Sequence, residues 1–71
     1  MFWFFERKGE HLRCEIRSQI EGDRYDLIIT KPDGTESIEH FKDSKDLECR
    51  TVELERLLLT AGWSGPFRPD W

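Results

Sequence analysis

The chain has 71 residues, which limits it to one small domain, and a domain of this length buries only about 60% of its unfolded surface. Hydrophobic residues make up 37% of the sequence and aromatic residues 13%, a composition that argues against disorder. The net charge of −4 disfavours a polyanion such as nucleic acid as the partner.

The sequence opens with four aromatic residues in its first five positions, MFWFF. A secretory signal needs an apolar run of about 7–15 residues, and a membrane span needs about 20. Charged residues interrupt this run at positions 6 to 8, so we expect neither. We expect a cytoplasmic protein, with Cys14 and Cys49 as reduced thiols.

The first predicted element is a β-hairpin. Apolar residues recur with a period of two on both sides of positions 8–9, a Lys-Gly pair that is typical of a two-residue turn. This turn pairs Phe5 with Leu12 and Trp3 with Cys14. The pairing places all four side chains on one face.

The second predicted turn closes on Gly22-Asp23 and continues the sheet. It pairs Ile20 with Tyr25 and Ile16 with Ile29. The inward face of the first hairpin then extends into the third strand.

The third turn has the clearest signal in the chain, KPDG at positions 31–34. Proline suits its first central position, aspartate the second, and glycine the left-handed site that follows. A fourth strand is predicted from about Thr35 to Phe41. Because Ile38 and Phe41 are three residues apart, the pattern indicates a bulge between them.

An amphipathic helix follows the fourth strand. Asp43 or Ser44 can cap its first turn, and Gly62 suits the left-handed position of a Schellman motif, from which Trp63 packs back on Leu58. The predicted buried stripe comprises Leu47, Leu54, Leu57, Leu58 and Ala61. Val52 and Leu59 lie about 120–140° from it, either at the rim of a wide buried face or in a second contact seam.

These elements predict an α+β fold: a four-stranded antiparallel β-meander with one C-terminal helix packed on one face. The domain is expected to cover residues 1–65, with an extended tail at residues 66–71. The chain resembles short uncharacterised bacterial proteins with a strand-rich first half and a terminal helix. The resemblance lies in PDG at 32–34, ELE at 53–55, Leu58, Gly62 and Trp63. It implies that fold and the bacterial cytosol, and it implies no activity.

Side-chain alternation predicts an apolar patch on the sheet face away from the helix. Its residues are Phe2, Phe4, Ile28 and Ile38, with Arg13 and Arg17 at the rim. The preferred hypothesis is a homodimer formed through this face or through the edge of the first strand. The alternatives are a different protein partner, or a C-terminal tail that folds back so that Phe67 or Trp71 covers the patch.

The remaining polar residues give no indication of a reaction centre. His11 and Cys14 are three apart on a predicted strand and face opposite ways, so a zinc site with Cys49 and His40 is not expected. No nucleophile elbow or glycine-rich phosphate loop is present in the sequence. We therefore expect a non-catalytic protein without metal or cofactor.

The main alternative function is a sheet face that binds nucleic acid. Phe2 and Phe4 beside Arg13 and Arg17 would resemble the stacking platforms that bind single strands. Acidic residues on the same face would repel phosphate: Glu6, Glu15 and Asp26.

Overall fold

The computed structural model describes residues 1–19 and 24–68. The strands are β1 (Phe2–Arg7), β2 (Glu10–Gln19), β3 (Arg24–Thr30), β4 (Glu36–Phe41) and β5 (Ser64–Phe67), and the helix α1 spans Ser44–Thr60. They form one antiparallel sheet in the order β4-β3-β2-β1-β5. The α+β fold, with its four-stranded meander and one helix, is confirmed, and a fifth strand extends it.

The first hairpin has the predicted register. Lys8 and Gly9 both have positive φ angles, 50° and 80°, as a two-residue type I′ turn requires. Phe5 pairs with Leu12 and Trp3 pairs with Cys14. The inward face of this hairpin was therefore determined by its local turn.

The predicted register between β2 and β3 is wrong by two residues. Ile16 pairs with Leu27 and Ser18 with Tyr25, whereas the sequence predicted Ile16 with Ile29 and Ile20 with Tyr25. Ile20 and the predicted turn lie outside the described residues. Because side chains alternate with a period of two, a shift of two residues leaves every side chain on its predicted face.

The turn after β3 forms as predicted. Gly34, with φ of 90°, donates its N–H to the Lys31 carbonyl at 2.9 Å, and the Asp33 carboxylate accepts the Thr35 N–H at 2.9 Å. The register then runs without interruption along β4, so the predicted bulge is wrong. Without a bulge, Ile38 and Phe41 face opposite sides of the sheet.

The helix has the predicted ends. Asp43 is the N-cap, and its side chain accepts the Lys45 N–H at 2.9 Å. At the C-terminus the Trp63 N–H bonds to the Leu58 carbonyl at 3.0 Å, while Gly62 has a φ of 95°. These are the contacts of a Schellman motif.

The helix packs on the sheet through Leu47, Leu54 and Leu58. The predicted stripe was too wide, because Leu57 is 55% exposed and Ala61 is also exposed. Leu57 lies seven residues after Arg50, on the flank of the helix from which Arg50 bonds to Glu39 of β4. The fully buried side chains of the core are Phe5, Cys14 and Leu27.

The largest departure from the prediction is β5. Ser64 pairs with Glu6 and Phe67 with Phe4, so β1 lies inside the sheet. The prediction that β1 is an edge strand is therefore wrong, and the predicted domain boundary at residue 65 falls within β5. No described helix is both long enough and apolar enough to cross a bilayer.

Candidate interaction surface

The outer face, defined here as the side of the sheet opposite α1, carries all six predicted interface residues. Two long rows of paired residues cross it, and a shorter third row consists of Arg17, Asp26 and His40. The first row is Phe2, Glu15, Ile28 and Ile38, and the second is Phe67, Phe4, Arg13, Thr30 and Glu36. On this face, apolar side chains thus lie near both edges of the sheet, and β2 places charged side chains between them.

Three phenylalanines form an aromatic cluster at the β1–β5 side, comprising Phe2, Phe4 and Phe67. The rings of Phe4 and Phe67 are 5.5 Å apart between centroids, and the Arg13 guanidinium lies 4.5 Å above the Phe2 ring. Phe2 and Phe4 are half-buried, while Phe67 remains 41% exposed. The C-terminal segment therefore covers part of the patch through Phe67, and Trp71 lies outside the described residues.

Ile28 and Ile38 form the second apolar group, opposite each other on β3 and β4. Ile28 is only 8% exposed because β3 lies inside the sheet, with Glu15 of β2 on one side of Ile28 and Ile38 of β4 on the other. Ile38 lies on the edge strand and is 53% exposed. Ile38 thus presents more of its surface than Ile28 does.

The middle of the outer face carries a column of charged residues on β2. Arg17 donates to Glu15 through Nε at 3.1 Å and through Nη2 at 3.5 Å. This hydrogen bond, together with nearby positive charge, lowers the pKa of the Glu15 carboxyl below its usual value. Arg13 lies one alternation further along β2, so positive and negative groups follow one another.

A second polar group lies at the far end of β3. Asp26 Oδ1 is 2.7 Å from His40 Nδ1 and 3.9 Å from Arg24 Nε. Arg24 and Arg17 therefore both lie beside carboxylates. The outer face carries charges of both signs close together.

The residues weighed for a metal site do not converge. Cys14 is fully buried in the core, where desolvation raises the pKa of its thiol to about 11, whereas Cys49 is exposed on the helix. His11 contacts the Phe4 ring on the outer face, and His40 bonds to Asp26. Across residues 1–19 and 24–68, no group of three or more His, Cys, Asp or Glu side chains could hold a metal ion.

Sequence reasoning missed two arginines that join separate elements. Arg7 donates to the Ala61 carbonyl at the end of α1 at 3.1 Å, and its guanidinium lies 4.6 Å above the Trp63 ring. Arg50 donates to Glu39 of β4 at 2.9 and 3.2 Å. Both pairs are distant in sequence, so no local pattern could have indicated them.

Comparison with known proteins adds no constraint on function. No protein-family model, curated protein or solved structure matches this chain. The geometry of the outer face therefore carries the functional argument.

Proposed function

We propose that this chain is a non-catalytic interaction domain that binds a second copy of itself through the outer face. The observation that supports this proposal is the exposure of large apolar side chains, Ile38 and Phe67, on the face opposite the helix. Burial of such groups is favourable by about 1.5–3 kcal/mol per side chain before the costs of association. A second copy would also enlarge the small core of a 71-residue chain.

The charges on the outer face favour a second copy over an unrelated partner. A twofold axis can lie parallel to the outer face, perpendicular to the strands and between the two long rows. This axis places Arg13 of each copy opposite Glu15 of the other copy. The same axis brings the two aromatic clusters together. An axis along β2 would instead stack Arg13 on Arg13, so self-complementarity selects the first orientation.

Nucleic acid is less well supported as the partner. Arg17 and Arg24 lie within 4 Å of carboxylates, and Arg13 covers the Phe2 ring. Few cationic groups on this face would thus be available to phosphate, and the chain has a net charge of −4.

The proposal is tested by measuring molar mass with light scattering across a dilution series. We expect at least about twice the 8.5 kDa chain mass at high concentration and dissociation on dilution. Replacing both phenylalanines of β1, Phe2→Ser with Phe4→Ser, should weaken the dimer by about a hundredfold or more, because two aromatic side chains leave the interface.

The control is Leu57→Ser, which removes an apolar side chain that is 55% exposed on the helix, away from the outer face. Circular dichroism verifies that each variant remains folded. A mass of one chain at every concentration would contradict the proposal, as would equal weakening by the helix control.

A further inference from the structure

The two ends of the sheet differ in their capacity to pair with another strand. β5 has four residues and includes Pro66, which has no N–H to donate. β4, at the other end, has six residues without proline. An unpaired edge of this kind is a template for another chain.

One hydrogen bond establishes which residues of β4 direct their N–H and C=O groups toward β3. Lys31 donates its N–H to the Thr35 carbonyl at 2.8 Å, which identifies these residues as a hydrogen-bonded pair. Hydrogen-bonded and non-bonded pairs alternate along antiparallel strands. Counting from Thr35 along the uninterrupted register, Ser37, Glu39 and Phe41 direct their backbone groups toward β3.

The intervening residues, Glu36, Ile38 and His40, therefore direct their N–H and C=O groups away from the sheet, off its edge. Another strand can bond only to these three residues. In a twofold antiparallel pair, residues that direct their backbone groups off the edge must lie opposite residues of the second copy that do the same.

Two such registers pair five residues of β4, one centred on Ile38 and one on Glu39. The register centred on Glu39 places two carboxylates directly opposite each other, which is unfavourable. The register centred on Ile38 places the two isoleucines opposite each other and Glu36 opposite His40, twice. It also leaves each Glu39 bonded to its own Arg50.

We propose that β4 pairs with β4 of a second copy in the register centred on Ile38. The inference rests on the three residues that direct their backbone groups off the edge. In this register Ile38 lies opposite Ile38, and Glu36 lies opposite His40. Pairing at this edge leaves the outer face uncovered, so both contacts can form in one assembly, and an assembly that uses both contains more than two chains. Two sheets then join into one continuous sheet.

The experiment is amide hydrogen exchange, measured residue by residue at high and low concentrations of the full chain. We expect the amides of Ile38 and His40 to gain at least about tenfold protection at high concentration, since they become hydrogen-bonded only in the pair. Ser37 and Glu39 provide internal controls, because their amides bond to β3 in either state. Their protection should change much less.

The edge is disrupted without altering the apolar patch by Glu36→Pro, which removes an outward N–H at the first residue of the strand, where proline is tolerated. Glu36→Ala is its matched control, because it removes the same side chain and keeps the N–H. We expect the gain in protection to be lost in Glu36→Pro and only reduced in Glu36→Ala, which loses the contact with His40 but keeps the backbone hydrogen bonds.

The outcomes separate this inference from the proposed function. A doubled mass without protection at Ile38 and His40 would overturn edge pairing and leave the face dimer standing. Protection that persists in the Phe2→Ser, Phe4→Ser variant with an unchanged mass would support edge pairing and overturn the face dimer. A single-chain mass with no gain in protection would overturn both.

Discussion

Gly65 is the residue whose conformation most constrains the last strand. Its φ is +139°, and a Cβ placed there would lie 2.9 Å from Phe5 Cδ1 and 3.0 Å from the Phe4 carbonyl oxygen. Phe5 is fully buried and cannot move aside easily. Glycine thus lets β5 pass directly against β1.

We predict that Gly65→Ala lowers the free energy of unfolding by at least about 2 kcal/mol, because the steric clash adds to the unfavourable φ. Urea denaturation measures the change. Gly34→Ala is the control, since Gly34 has a φ of +90° but open space around its Cβ position. An equal decrease in the free energy of unfolding in the two variants would show that the close packing at Gly65 contributes nothing to the effect.

At the scale of elements, the helix and the sheet edge are joined by a polar contact as well as by leucines. Arg50 of α1 forms two hydrogen bonds to Glu39 of β4, and the bond to Glu39 raises the pKa of the Arg50 guanidinium above its usual value. Both side chains are about two-thirds buried. The contact fixes the flank of the helix that faces the edge of the sheet.

A double-mutant cycle with Glu39→Ala and Arg50→Ala should give a coupling energy of about 1 kcal/mol, because the pair is partly shielded and joins distant segments. The comparison cycle, Glu15→Ala with Arg17→Ala, should give less than about 0.5 kcal/mol. Those residues are two apart on one strand, and Arg17 is largely exposed. The reverse order of the two coupling energies, measured by chemical denaturation, would contradict this view of helix docking.

At the scale of the whole molecule, the proposed face dimer predicts a specific orientation of the two copies. Arg13→Glu alone places two carboxylates opposite each other at each symmetry-related contact, and we expect it to weaken the dimer by about tenfold or more. Adding Glu15→Arg reverses both charges and should restore affinity toward that of the unmodified chain. Light scattering on dilution measures both effects.

Failure of Glu15→Arg to restore association would argue against the proposed twofold axis. The loss of association in Arg13→Glu alone would still locate the contact on the outer face. Arg13→Gln controls for the loss of the guanidinium above Phe2.

Local chemistry in the sequence predicted most of the fold. The Lys8-Gly9 turn determined the first register, and the KPDG turn and the Gly62-Trp63 stop were recognised from residue types that favour those backbone conformations. The two-residue error between β2 and β3 changed no face. Face assignment depends only on a period of two, so the predicted outer-face residues share one face in the structure.

The sequence by itself determined the first four strands, the helix and the side of the sheet to which the predicted interface residues point, because these follow from contacts between near neighbours. Only the tertiary structure decided that β5 pairs with β1, that Phe67 lies on Phe4 and that Ile28 is buried while Ile38 is exposed. These features depend on which segments meet across the sheet. At one end of the sheet β5 replaces β1 as the edge strand, while β4 remains the edge at the other end, since an edge is a property of the whole sheet.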